Sequence, residues 1–94
     1  MGVRVRDQLA NEYPEVLLCD GLDAALIGAV VRFGQEPVAL YDRDEIIRIF
    51  VKRDGMSYDE AISHFEFNVI GAYVGERTPA FASVMRVVTP SEEK

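Results

Sequence analysis

Residues 42–72, with the sequence DRDEIIRIFVKRDGMSYDEAISHFEFNVIGA, contain two helix-start signals and a helix stop between them. The first start is Asp42, a capping residue that is followed three positions later by Glu45. Gly55 supplies the stop, because glycine adopts without strain the left-handed conformation that ends many helices. Between Asp42 and Gly55, apolar side chains recur at helical spacing. The pattern predicts a first helix over 43–53.

The second start signal is Ser57, which is followed three positions later by Glu60. Beyond it, the most regular helical stripe of the chain comprises Tyr58, Ala61, Ile62, Phe65, Val69 and Ala72. This stripe predicts a second helix over 58–73. Since only a few residues separate it from the first helix, the two helices form an αα-hairpin.

The segment before these helices predicts a β-hairpin. Apolar residues over 25–33 and 38–41 form two runs with strand character, and the turn residues of 34–37 separate them. A helix capped by Asp23 is the alternative for the first run. Gly28 in its interior and the two consecutive valines make a strand the better interpretation.

The two ends of the chain complete the fold. Residues 3–12 predict a short helix, which Pro14 prevents from continuing. The apolar run 16–19 predicts a brief strand or a buried turn, and 81–88 predicts a last strand. The polar segment 89–94 is expected to fray.

These elements predict the fold class α+β, with a small antiparallel sheet around the β-hairpin packed against the αα-hairpin. The chain has 94 residues, of which 49% are hydrophobic and 28% charged. This composition is typical of a globular protein, and the length matches one domain over 1–94.

The composition also argues against several partners and sites. Sixteen acidic and ten basic side chains give a net charge of −6, so direct binding of nucleic acid is not expected. No apolar run approaches the roughly 18 residues that span a bilayer, and the N-terminus lacks a signal pattern, so we expect a cytoplasmic protein without a membrane partner. With one cysteine and one histidine, we expect no disulfide, no metal site and no cofactor.

Four strings of the sequence resemble a known group of proteins. They are DGLDAALIG at 20–28, DGMSYDEA at 54–61, FEFN at 65–68 and GAYVGERTP at 71–79. Together they resemble a small uncharacterised family found in bacteriophage, prophage and bacterial genomes, over a stretch from about Asp20 to Pro79. The family has no assigned activity, so the resemblance implies a phage-related context and no catalytic residue. It also favours a role in binding a partner, because many small acidic phage proteins bind host machinery.

Seven polar residues are candidate functional residues: Asp20, Asp23, Glu60, His64, Glu66, Asn68 and Glu76. His64 lies four positions after Glu60 and four before Asn68, which places the three near one helical face. A carboxylate that orients an imidazole is typical of a general base. No serine or second histidine is placed to use such a base or to complete a metal site, so an exposed histidine on a polar face is the simpler interpretation. No residue is assigned as catalytic.

The other candidates also have ordinary structural interpretations. Asp20 and Asp23 flank a glycine turn that resembles a cation loop, but the alternating oxygen ligands of a calcium loop are missing. A turn role for the first and a helix cap for the second are therefore favoured. Cys19 lies in an apolar run, where cysteine behaves as a small buried hydrophobe. Glu76 is interpreted as a turn residue.

The second helix carries a second apolar stripe, and its candidate interface residues are Phe67, Ile70, Tyr73 and Val74. A small chain has few elements with which to cover two stripes, so we expect a second copy or another protein to cover one of them. Glu66 and Asn68 then border this surface.

Three functions follow as hypotheses. The first is a non-catalytic protein-interaction module that acts as a homo-oligomer or that binds and inhibits a host protein. The second is an acidic inhibitor that mimics nucleic acid. The third is a small metal-dependent hydrolase that uses carboxylates of the candidate set together with His64.

Overall fold

The computed structural model describes residues 4–71 and 75–85 and has an α+β fold, as the sequence predicts. A three-stranded sheet packs against helices that precede and follow the β-hairpin. In chain order the elements are α1 (Val5–Glu12), a 3₁₀ turn (Asp23–Ala25), β1 (Leu26–Val30), β2 (Val38–Asp42), α2 (Arg43–Asp54), α3 (Tyr58–His64), a π-helix (Phe65–Ile70) and β3 (Ala80–Ala82).

Both ends of α2 lie where the local signals predict them. The Asp42 carboxylate accepts hydrogen bonds from the backbone N–H groups of Asp44, at 3.0 Å, and Glu45, at 3.3 Å. These bonds satisfy two of the N–H groups that the first turn of a helix leaves without partners. At the other end, Gly55 adopts a φ of 72°, the left-handed conformation that glycine tolerates best.

The start of α3 is confirmed, but its predicted length is wrong. Ser57 and Glu60 form a reciprocal capping box, in which each backbone N–H donates to the other side chain, at 2.8 and 3.1 Å. The α-helix ends at His64, and a π-helix replaces it through Ile70. A wider backbone turn changes which side chains face the sheet.

The residues of the predicted apolar stripe therefore differ in their burial. Ala61 and Phe65 are fully buried, and Ile62 and Val69 are half-buried. Tyr58 is 62% exposed, so its place in the buried stripe is wrong. Ala72 lies outside the described residues.

The sheet is mixed. β1 and β2 form the predicted antiparallel hairpin, with a bulge between Leu26 and Gly28. The first strand ends at Val30, so the prediction of strand at residues 31–33 is wrong, and these residues belong to the connection.

β3 ends at Ala82, so residues 83–85 of the predicted 81–88 strand are not strand, and residues 86–88 lie outside the described residues. β3 pairs parallel to β2, with Leu40 opposite Ala80. A parallel partner requires a long crossover, and the two helices between β2 and β3 supply it. Residues 16–19 form no strand.

The core lies between the sheet and the helices. Its largest fully buried side chains are Tyr41, Phe65 and Ile46. The ring of Phe81 on β3 lies 5.3 Å from that of Phe65, edge to face, and 5.9 Å from that of Tyr41. Burying one such aromatic side chain stabilises the fold by about 1.5–3 kcal/mol. These rings therefore join the π-helix to the sheet.

The N-terminal helix is confirmed as α1 and packs on β1. Its Leu9 is buried, and its Arg6 donates to Asp23 at 2.7 Å. Residues 89–94, whose fraying the sequence predicts, lie outside the described residues. Within 4–71 and 75–85, no helix has the length and apolar character needed to cross a membrane.

We expect Ser57→Ala to lower the free energy of unfolding by about 1 kcal/mol, because it removes the N-cap acceptor of α3. Ser63→Ala is the matched control, since Ser63 is exposed inside the same helix, where alanine is the better helix former. Urea denaturation followed by circular dichroism measures both variants. Equal midpoint shifts in the two variants would show that the capping box does not stabilise α3.

We expect the stability of the protein to fall at high pH because of Tyr41. Burial raises the pKa of Tyr41 to about 12, whereas an unfolded tyrosine titrates near pH ~10. The folded state holds this proton more tightly. Its contribution is therefore fully present below the unfolded pKa and is lost as the pH rises through about 12.

Tyr41→Phe should abolish the latest step in the tyrosine absorbance titration. It should also cost about 1–2 kcal/mol at neutral pH, because the Cys19 backbone N–H donates to the Tyr41 hydroxyl at 2.7 Å. Tyr58→Phe is the control, since Tyr58 is 62% exposed. If the late step persists in Tyr41→Phe, another tyrosine is responsible and this assignment is wrong.

Candidate functional site

Two neighbouring cavities share Asp54, His64 and Asn68 in their walls. One is an open groove of about 690 Å³ along α3, here called the acidic groove, which is lined by Asp54, Gly55, Met56, Asp59, Glu60, Ser63, His64, Phe67 and Asn68. The other has about 510 Å³ and lies between the 17–22 segment, the end of α2, the π-helix and β3. Here called the apolar cavity, it is lined by Leu17, Leu18, Cys19, Asp20, Leu22, Phe50, Arg53, Asp54, His64, Asn68, Val69, Thr78, Pro79 and Phe81.

His64 is half-buried at the end of α3, between the two cavities. Its ring contacts that of Phe50 nearly at a right angle, with the centroids 4.7 Å apart. Its Nδ1 lies 3.0 Å from the side-chain nitrogen of Asn68. An amide nitrogen only donates, so Nδ1 accepts this hydrogen bond.

The alternative in which the Glu60 carboxylate orients the His64 ring as a base is not found in the structure. The Glu60 carboxylate accepts from the Ser57 backbone N–H, as part of the capping box. The partner of the His64 ring is Asn68 instead. An amide cannot take up a proton from the imidazole, so this pair fixes the ring without making it a stronger base.

Arg53 and Asp54 form the polar edge of the apolar cavity. The guanidinium donates to both carboxylate oxygens of Asp54, at 3.0 and 3.1 Å, and its third nitrogen donates to the Gly21 carbonyl at 2.6 Å. The bidentate contact lowers the pKa of Asp54. Arg53 therefore ties the 20–21 turn to the end of α2 through three of its N–H groups.

Cys19 lies in the wall of the apolar cavity beside Tyr41. Its backbone N–H donates to the Tyr41 hydroxyl at 2.7 Å, which positions the 17–22 segment against the sheet. Burial raises the pKa of its thiol. A thiol that stays protonated is a poor nucleophile, which agrees with a structural role for this cysteine.

The structure brings only part of the candidate set together. Asp20, His64 and Asn68 line the apolar cavity, and Glu60 lines the acidic groove. Glu66 and Glu76 are exposed and line neither cavity.

Asp23 has a different environment from Asp20 and does not line the apolar cavity. It pairs with Arg6 of α1 at 2.7 Å and makes no side-chain cap of the 3₁₀ turn, so its predicted capping role is wrong. A search over the described residues finds no group of three His, Cys, Asp or Glu that could hold a metal ion.

Half of the candidate interface lies in the described residues. Phe67 is 79% exposed and Ile70 is 51% exposed, both on the π-helix. Tyr73 and Val74 lie outside the described residues.

Sequence reasoning missed Arg53, Asp54 and Phe81 as parts of the site. The first two sit beside the helix stop at Gly55, where a charged pair is interpreted as a helix end. Phe81 is assigned to a strand without a partner. Only the pairing of β3 with β2 places its ring in the cavity wall.

Comparisons with protein-family models, with curated proteins and with solved structures found no match. The resemblance to phage and prophage proteins therefore stays a prediction.

Proposed function

We propose that the protein is a non-catalytic interaction module that binds another protein through the π-helix and the adjoining acidic groove. The observation that carries this proposal is the exposure of Phe67, at 79%, and of Ile70, at 51%, on one short helix. Burying either side chain in an interface would contribute on the order of 1.5–3 kcal/mol. Two large apolar side chains exposed within one short segment are a feature that a docking site would explain.

The charge beside these residues supports a basic partner. Asp59 and Glu60 line the groove that Phe67 borders, and among the described residues no lysine or arginine lines it. Asp54 also lines it, with its charge balanced by Arg53. A partner segment with both apolar and basic side chains is complementary to this surface.

The same charges favour a different protein over a second copy. A twofold contact through this face would bring the carboxylates of Asp59 and Glu60 close to their own copies. Like charges so placed oppose association. The phage-related resemblance then favours a host protein in the bacterial cytoplasm as the partner.

The other two hypotheses have less support. Four ion pairs that involve arginines couple Asp44, Glu45, Asp54 and Glu15 to cations. Carboxylates neutralised in this way make a poor imitation of a row of phosphates. A hydrolase would need a base, and His64 is bonded to an amide instead of a carboxylate.

We expect a photo-crosslinking amino acid at position 67 to capture one defined bacterial protein in cells. Phe67→p-benzoylphenylalanine places the probe on the proposed surface. Phe33→p-benzoylphenylalanine is the control, because Phe33 is equally aromatic and fully exposed but lies in the turn after β1. Mass spectrometry identifies the adducts, and only position 67 should give the defined one.

The captured protein is then purified and its affinity measured by calorimetry. Phe67→Ser should weaken binding about tenfold or more, as expected of an interface hot spot, and Phe33→Ser should leave it unchanged. Asp59→Asn should reduce the salt dependence of binding. Identical adducts at both positions, or an unchanged affinity of Phe67→Ser, would contradict the proposal.

A further inference from the structure

We propose that the apolar cavity binds a small organic ammonium ion, a molecule with an apolar body and a protonated amine. This site is separate in function from the proposed protein-binding surface. Its volume of about 510 Å³ lies within the range of about 300–1,000 Å³ that is usual for small-molecule sites. Four separate parts of the chain form its walls, and the contacts of Arg53 and Tyr41 described above hold two of those walls together.

The floor and walls of the cavity suit the apolar body. Leu22 and Phe50 are buried, and Leu18, Val69 and Phe81 are half-buried. All five line the cavity. Two of them, Phe50 and Phe81, are aromatic and offer a large apolar surface to the body of the ligand.

The charges at the rim suit a cation. The cavity is lined by the carboxylates of Asp20 and Asp54 and by the guanidinium of Arg53. Since Arg53 donates to Asp54 and to the Gly21 carbonyl, it is engaged within the protein. Among the described residues no other lysine or arginine lines the cavity, so two carboxylates stand against one guanidinium there, and this balance favours a cation over a carboxylate or phosphate.

Asp20 is the group that would receive the ammonium. Its side chain is exposed and makes no hydrogen bond or ion pair within 4–71 and 75–85. Arg6 interacts electrostatically with Asp20, but its hydrogen bond goes to Asp23. An amine that pairs with Asp20 gains a charge-assisted hydrogen bond, and no existing contact of that carboxylate has to break.

Asn68 offers a second acceptor. Its amide nitrogen is directed to Nδ1 of His64 at 3.0 Å, which leaves the side-chain carbonyl to accept from the ligand. The same contact fixes the amide, so little rotamer freedom is lost on binding. The ligand would thus have its amine at the rim and its apolar end against the phenylalanine rings.

Three probes of similar size and different charge test the proposal. They are 2-phenylethylammonium, 3-phenylpropionate and 2-phenylethanol, each titrated at neutral pH and followed by two-dimensional NMR of the backbone amides. We expect saturable shifts at Asp20, Asn68 and Val69. The ammonium should bind about tenfold more tightly than either other probe, a difference of about 1.4 kcal/mol.

Two variants separate charge recognition from cavity filling. Asp20→Asn should remove the preference for the ammonium, whereas Asp7→Asn should leave it intact, because Asp7 is an exposed carboxylate on α1 away from the cavity. Val69→Trp should abolish the binding of all three probes, with circular dichroism as the check on folding. Asp20 is exposed, so its variant is expected to fold even where the cavity-filling variant does not.

Three results would overturn the proposal. Equal affinity for the three probes, or an unchanged preference in Asp20→Asn, would show that no charge is recognised. Absence of saturable binding by every probe would show that the cavity is not a small-molecule site. None of these results bears on crosslinking at Phe67, so the two proposals fail separately.

Discussion

The structure depends on the burial of Phe65 against Phe81. The π-helix contributes one ring, β3 contributes the other, and the two meet edge to face at 5.3 Å. Phe81 also lies 5.9 Å from Tyr41 of β2, and the guanidinium of Arg43 lies 5.7 Å from the centre of the Phe65 ring. A three-residue strand has little pairing of its own. These aromatic contacts are therefore what keep β3 beside β2, and with it one wall of the apolar cavity.

Local signals predict most of the elements but little of their arrangement. The caps at Asp42 and Ser57 and the stop at Gly55 depend on bonds between residues at most a few positions apart, and each is found where the sequence places it. The β-hairpin is also local, since only residues 31–37 separate its two strands. The parallel pairing of β3 joins Leu40 to Ala80 across the whole αα-hairpin, and no periodicity in either strand encodes that direction.

In the candidate site, too, contacts between neighbouring residues are predicted and contacts between distant segments are not. His64 and Asn68 are four positions apart, and helical geometry brings them together as predicted. Glu60 has the same spacing from His64, yet its carboxylate is used by the cap, because the N-terminal backbone groups of α3 need an acceptor. The contact of Arg53 with the Gly21 carbonyl spans 32 positions, and neither residue carries a signal of it. Groups whose roles depend on distant chain segments are thus the ones that sequence reasoning misses.

The π-helix contributes a buried side chain to the core and also leaves large apolar side chains exposed to solvent. A π-helix is less favourable than an α-helix, so it persists only where the surrounding packing favours it. Here the packing of Phe65 provides that compensation, since the ring is fully buried. The same segment leaves Phe67 and Ile70 largely exposed, and their exposure contributes nothing to the stability of the core. A local departure from regular structure that also presents apolar side chains to the surface supports the proposal that this segment binds a partner.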